Sequence, residues 1–367
     1  MAGKAVILRL EVGLRANMNK HSRVAIATLV LLLALGCSGD PARSGDVVFQ
    51  PYWTPLFLAG NSFSDLEIAG GSLYVAERTK GVYVQSPAFS GSWSHLGLEV
   101  GELSDPYRSY GITSLALVDD FLVAGLNLPA GDARPRLYRL RLGDSEWRTG
   151  SFDPGNQVRD LITLPSGNIV GLDRDGTFSS NDGQSWTRSE TELIGLEIGR
   201  LFVGPDALYC GGHGPTREPR LYRSLNGGAT WDLINLGRSL AKRVGTIYAI
   251  AGYQATEPAL FFTVDADVYR SDNGGGSFYH LLEIPRTPGQ IHLNPRDSQE
   301  IIVIGGYVYW SRDGGIDWDV FALPRGLPAR RSVVDWDNRK MAVTTSDGLV
   351  EAIYAFDLVD AEPFLDD

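Results

Sequence analysis

The residues best suited to recognition chemistry in this chain are arginines at recurring positions. Arg159, Arg200, Arg243 and the pair Arg330 and Arg331 each stand just before an apolar run, near Leu161, Leu201, Ile247 and Val334. Two long segments with similar wording, NLPAGDARPRLYR over 127–139 and GGHGPTREPRLYR over 211–223, supply Arg134 and Arg136, then Arg217 and Arg220. Arg78 and Lys80 hold the matching place earlier in the chain. A guanidinium is a planar fork of donors that pairs bidentately with carboxylate or phosphate. Gathered on one face, these side chains would favour an anionic partner, a protein or an anionic glycan. The competing reading pairs them within the chain, with Asp105, Asp160, Asp173, Asp175 and Glu218 as acceptors.

Other chemistry is thinly supplied. The five histidines, at 21, 95, 213, 280 and 292, share no metal-ligand spacing, so no metal site and no cofactor are assigned. His213, in a Gly-rich loop, reads as a solvated side chain, and the acidic tail DLVDAEPFLDD as a solvated terminus. Cys210 sits in the apolar run ALYCGG and reads as a buried, inert thiol. No nucleophile elbow and no phosphate-cradling loop is present. A formal net charge of -11 argues against nucleic acid as the partner.

The elements that must position the arginines follow from a repeat. SSNDGQSW (179–186), SLNGGATW (224–231), SDNGGGSF (271–278) and SRDGGIDW (311–318) share Ser-x-(Asp/Asn)-x-Gly-x-x-aromatic. SPAFSGSW (86–93) and LRLGDSEW (140–147) keep the length but not the wording. The phrase resembles the Asp-box, or bacterial neuraminidase repeat. Its residues here are Ser179, Asn181, Gly183 and Trp186; Ser224, Asn226, Gly228 and Trp231; Ser271, Asn273, Gly275 and Phe278; Ser311, Asp313, Gly315 and Trp318. An Asp or Asn side chain can accept from the N–H groups of its own turn. The Gly permits a positive φ. The aromatic then opens the next strand and packs beneath the turn, between neighbouring sheets.

Successive aromatics lie about four short strands apart, the length of a propeller blade. Between boxes the chain reads as short strands: TIYAIA (246–251), ALFFTV (259–264), DVYRS (267–271) and FYHLLEI (278–284). Inner strands are expected to begin near Leu66, Leu115, Leu161, Leu201, Ile247, Ile291 and Val334. The expected fold is therefore all-β: a seven-bladed β-propeller of four-stranded antiparallel blades over residues 47–358, closed by an N-terminal strand. VVFQPYW (47–53) is the segment assigned to closure, as outer strand of the last blade. The alternative is that LVEAIYAFDL (349–358) folds back to form two strands. Residues 359–367 form the acidic tail.

The N-terminus reads as a targeting segment. Twelve uncharged residues, VAIATLVLLLAL (24–35), follow Lys20, His21 and Arg23 and are too short to span a bilayer comfortably. A start at Met18 would give a more usual signal length. Leu33-Ala34-Leu35-Gly36-Cys37 resembles a bacterial lipobox. That resemblance implies a signal peptide over 1–36, cleavage before Cys37 and membrane lipid on Cys37, with residues 37–46 as a flexible tether. The expected location is the bacterial cell envelope, at the outer membrane.

Sialidases carry the same box on a propeller and use an arginine cluster on the substrate carboxylate. Their aromatic-Arg-Ile-Pro phrase is missing, Ile284-Pro285-Arg286 has the wrong order, and six blades is their norm. No residues are assigned to catalysis. Seven-bladed, membrane-tethered propellers of the photosystem II assembly and stability-factor family are also similar; there an arginine-lined face is implicated in docking a membrane protein. The expectation is a monomeric, non-catalytic envelope lipoprotein that binds a protein or anionic glycan through Arg134, Arg136, Arg159, Arg200, Arg217, Arg220, Arg243 and Arg330. The alternatives are a sialidase-like glycoside hydrolase or an assembly factor for a membrane protein complex.

Overall fold

A computed structural model describes residues 53–60, 62–101, 110–150, 152–189, 193, 196–204, 207–240, 244–253, 259–273, 275–284, 290–346 and 351–359. The chain divides into units 1–40 and 41–367, and all of these residues belong to the second. The lipobox, the tether, Arg243, Asp105 and the tail beyond 359 lie outside them.

Seven antiparallel sheets follow one another along the chain. Blade one is Phe63–Ala69, Ser72–Glu77, Gly81–Ser86 and Ser92–Gly97. Blade three starts at Asp160–Thr163, blade four at Glu197–Val203, blade five at Ile250–Tyr253 and blade six at Gln290–Asn294. The first strand of each blade contacts the first strands of both neighbours, and that of blade seven, Ala329–Asp335, meets that of blade one. The ring is thus closed around a central channel. Second strands such as Ser72–Glu77 and Leu208–His213 are buried along their whole length. Each lies sandwiched between neighbouring sheets, which is why it reads as a continuous apolar run instead of an alternating one. Seven buried clusters fill the seven gaps between adjacent blades.

Closure is made by the N-terminal strand, but further along than VVFQPYW. Trp53–Gly60 pairs with Glu351–Asp357 as the fourth strand of blade seven, and residues 47–52 lie outside the described set. Glu351–Asp357 is one strand, so the fold-back alternative fails. Trp53 Nε1 donates to Ala322 O of blade six at 2.8 Å, locking the closing strand to its neighbour. Blade two has three strands, Gly111–Val118, Phe121–Asn127 and Leu137–Arg141, and its fourth is reduced to a bridge between Arg139 and Arg148. In blade five the first strand begins at Ile250, later than TIYAIA implies. Half of the ladder persists there, Thr263 N to Ala249 O and Asp265 N to Thr246 O, while side chains accept from the other N–H groups: Thr246 N donates to Asp265 Oδ1 and Ala249 N to Thr263 Oγ1.

The boxes form local clips. Ser224 Oγ donates to Asn226 Oδ1 at 3.0 Å and accepts from Gly228 N at 2.8 Å, while Asn226 Oδ1 accepts from Thr230 N. Ser271 with Asn273, and Ser311 with Asp313, repeat the pattern. Gly228, Gly275 and Gly315 have φ of 90°, 98° and 96°. Trp231, 2% exposed, donates to Gly228 O of its own clip and to Thr177 Oγ1 of blade three. Its aromatic thus ties one blade to the one before.

The two boxes of altered wording keep that tie: Trp93 donates to Leu56 O of the closing strand and Trp147 to Leu96 O of blade one. In blade one Gln85 replaces the Ser, accepting from Phe89 N and donating to Gly91 O. Blade three departs from the assigned register. Ser180 and Asp182, not Ser179 and Asn181, make the clip: Ser180 Oγ accepts from Gly183 N at 2.8 Å, and Asp182 Oδ1 accepts from the N–H groups of Gln184 and Ser185. The turn is one residue shorter, and Trp186 Nε1 is buried without a partner.

Candidate binding site in the central channel

Several arginines singled out from the sequence are neutralised within the fold. Arg134 clamps Asp132, with Nη2 to Oδ2 at 2.7 Å, and donates Nη1 to Val100 O. That hydrogen bond holds the Asp132 carboxyl down at about 2. Arg220 pairs with Glu218 at 2.7 Å. The Thr216 hydroxyl, the backbone and Arg220 together depress Glu218 to about 2. Arg136, buried, lies 3.4 Å from Asp153. Asp173 takes Arg188 at 2.6 Å, an arginine not singled out from the sequence. Arg159 turns from the channel and donates to Leu196 O at 3.0 Å. For these residues the intramolecular reading wins: each guanidinium found a carboxylate or carbonyl close in the fold. Arg217 and Arg330 remain exposed, as does Arg174 in the turn after the second strand of blade three. None of these three makes an ion pair with a described residue.

The first strands bring a different set of groups together. A cavity of about 340 Å³ sits among them, lined from six of the seven blades. Its charged groups are Asp65 and Glu67 of blade one, Asp160 of blade three, Arg200 of blade four and Arg331 of blade seven. Tyr248, Gln290, His292 and Ser332 complete the polar wall, and Ile162, Phe202, Ile250 and Leu293 are among the apolar residues between them. The two guanidiniums face three carboxyls, so the lumen is not a positive one.

Some of these groups also sew blades together. Asp65 Oδ2 accepts from Leu115 N of blade two at 2.8 Å, and Asp160 Oδ2 from Leu201 N of blade four at 2.8 Å. Gln290 Oε1 accepts from the Ser332 hydroxyl at 2.7 Å and from Ser332 N. Arg331 Nε donates to Ser64 O, joining blade seven to blade one. His292 Nε2 lies 2.8 Å from Ser332 Oγ.

Burial governs the protonation of this wall. It pushes the Asp65 carboxyl up to about 6, against Arg331 and the Leu115 N–H, which pull it down. It raises Asp160 as well, with Arg200 opposing. Glu67 is driven well above the ordinary carboxylate range by burial first, then by Asp65 and Asp160, and no cation offsets the rise. Burial lowers His292 to about 4, so the imidazole is neutral at pH 7, and lowers Arg331 to about 10, still charged. Cys210, behind the wall, is pushed far above its ordinary value by burial and is inert as a nucleophile.

Of the described arginines singled out from the sequence as binding residues, the channel holds Arg200 alone. Asp65, Glu67, Asp160, Gln290 and Arg331 make up most of the rest of the charged and polar wall. A signal for them exists: Asp65, Asp160, Arg200 and Gln290 each stand immediately before a position where the sequence places the start of an inner strand, Leu66, Leu161, Leu201 and Ile291. Among the described residues no group of His, Cys, Asp and Glu is placed to hold a metal ion.

No protein-family model and no curated protein matches the chain. Solved structures do resemble it. YCF48 bound to D1 peptide superposes with a TM-score of 0.62 at 14% identity, over 86% of this chain and 99% of that one. Virginiamycin B lyase from Staphylococcus aureus gives 0.60 at 10% identity, over 82% and 99%. The GH74 xyloglucanase from Xanthomonas campestris gives 0.61 at 17% identity, over 84% of this chain and 54% of that enzyme. The likeness is one of fold. These neighbours are seven-bladed propellers, as this chain is, and their names belong to a binding protein, a lyase and a glycoside hydrolase.

Proposed function

We propose that the protein is a non-catalytic propeller that docks a segment of a partner protein over the mouth of its central channel. The observation that carries this reading is the charge layout. Exposed guanidiniums at Arg174, Arg217 and Arg330 stand outside a lumen walled by Asp65, Glu67 and Asp160. A polypeptide can present both signs of charge to such a surface, whereas an anionic glycan would meet carboxylates in the lumen. YCF48, a propeller of the same fold, binds a D1 peptide, and this supports a protein partner over a glycan. The lipobox-like stretch ending at Cys37 supports a lipid-anchored, envelope location, with the partner in or at that membrane.

Affinity capture of the lipidated protein from its own membranes tests the reading, wild type beside Arg174→Ser/Arg217→Ser/Arg330→Ser. The expected result is a specific membrane protein recovered by wild type and lost from the variant. Thermal stability should stay within about 0.5 kcal/mol, as for surface substitutions. Equal recovery from both proteins would overturn the arginine-rimmed mouth as the docking surface.

A second reading has one observation in its favour. A carboxyl held near neutrality by burial, as Asp65 is at about 6, meets a requirement of a general acid in glycoside hydrolysis. Release of aryl alcohol from a panel of aryl glycosides by wild type, absent in Asp65→Asn and Asp160→Asn, would favour that reading over docking.

A further inference from the structure

We infer that the channel lumen is a binding site for an organic cation, a primary ammonium or guanidinium group on a slim aliphatic arm, with Glu67 as its principal counter-ion. The other two carboxyls of the lumen are already engaged. Asp65 accepts from Leu66 N and Leu115 N, and Asp160 accepts from Leu201 N. Both also feel Arg331 and Arg200. Glu67 has none of this. It is half-buried, its side chain lines the cavity, and no described residue donates to it or pairs with it. Asp65 and Glu67 lie two apart on one strand and so face the lumen together.

Around Glu67 the wall presents Asp65, Asp160, Arg200, Tyr248, His292 and Arg331. His292 is neutral at pH 7, so the charge balance there is three carboxyls against two guanidiniums. An unpaired carboxyl held in a low-dielectric cavity either takes up a proton or takes up a cation. The cavity, at about 340 Å³, is at the small end of ligand pockets. Apolar side chains at Ile162, Phe202 and Ile250 suit the methylene arm of an alkylamine. When the cation arrives, the Glu67 proton leaves to buffer and a charge-assisted hydrogen bond replaces it.

The same chemistry could arrive as a free amine or as a Lys or Arg side chain of a partner. The inference stands on the cavity alone, and it survives if docking through the outer arginines fails. Calorimetric titration tests it, with butylamine, butylguanidine, 1-butanol as a neutral isostere, and the peptide acetyl-Gly-Lys-Gly-amide. Wild type should bind the two cations saturably and 1-butanol far less. Glu67→Gln should weaken cation binding by at least about tenfold, the loss of one charge-assisted hydrogen bond. The apparent heat should change between two buffers of different ionisation enthalpy, because a proton is released. Binding of butylamine would mark a small-molecule site; binding of the peptide with no binding of free amine would mark a partner's side chain. Failure of every cation to bind wild type, equal binding of 1-butanol, or unchanged affinity in Glu67→Gln would each overturn the inference. If Glu67→Gln did not fold, the butanol control and the buffer dependence of wild type would still decide it. Arg174→Ser/Arg217→Ser/Arg330→Ser should bind butylamine as wild type does.

Discussion

The outer clips and the channel wall are built on opposite principles. In a clip the Ser hydroxyl and the Asp or Asn side chain are satisfied within a few residues. Asp313, for example, would be raised by burial, but the Asp317 and Ile316 N–H groups and the Ser311 hydroxyl outweigh that and hold it below its ordinary value. In the wall, acids are raised and Glu67 has no partner among the described residues. Clips repeat from blade to blade, whereas the equivalent wall position carries Asp65, Asp160, Arg200 or Gln290 in different blades. Asp65 and Asp160 join neighbouring blades, but Glu67 keeps unspent interaction capacity, and that is where we place a ligand.

The largest test of that contrast lies in the clip. Trp231→Ala should destabilise the protein by roughly 3 to 5 kcal/mol, as for a buried large aromatic, measured by denaturant unfolding. A melt equal to wild type would remove the account of the aromatic as a tie between blades. Register gives a finer test. Ser180→Ala should cost about 1 to 2 kcal/mol by leaving the Gly183 N–H unsatisfied, while Ser179→Ala, outside the clip bonds, should cost less. The reverse order would restore the register assigned from the Ser-to-aromatic spacing. The indole bonds can be isolated in the same way. Trp231→Phe should cost about 1 kcal/mol more than Trp186→Phe, because Trp231 Nε1 has two acceptors and Trp186 Nε1 has none.

The smallest effect lies in the wall and has the opposite sign. Glu67 has a folded-state pKa above its unfolded one, so the native state holds the proton longer than the unfolded chain. Its contribution to stability is therefore fully present below the ordinary Glu value of about 4.3 and is lost as pH rises through the folded value. Asp65 acts in the same sense between its ordinary value and about 6. Glu67→Gln should leave the melting temperature at pH 7 equal to or above wild type and flatten its fall between about pH 4 and pH 7. A lower melting temperature at pH 7 with an unchanged pH profile would mean that Glu67 is already paired.

Fold was legible where the information is local. A clip needs a Ser, an Asp or Asn, a Gly and an aromatic within eight residues, its repetition sets the blade length, and the inner-strand starts count the blades. The local reading failed where one residue was missing, in blade three, because the spacing from Ser to aromatic does not say which of two adjacent serines accepts from the Gly. The closing strand runs on from Trp53 to Gly60, beyond the segment 47–53 assigned to it.

The binding residues were less legible for a similar reason at larger scale. Along a strand, neighbours point to opposite sides, so a shift of one residue exchanges wall for interior. Asp160 lines the lumen and Arg159 does not; Arg331 does and Arg330 does not. Composition registered that arginines gather before inner strands, but it could not say which of each adjacent pair faces inward. By itself the sequence determined the repeat, the blade number and the class of turn, since these depend on residues close along the chain. Only the tertiary structure decided the channel's charge, because its carboxyls and guanidiniums come from strands as far apart as residues 65 and 331 and meet only when the ring closes.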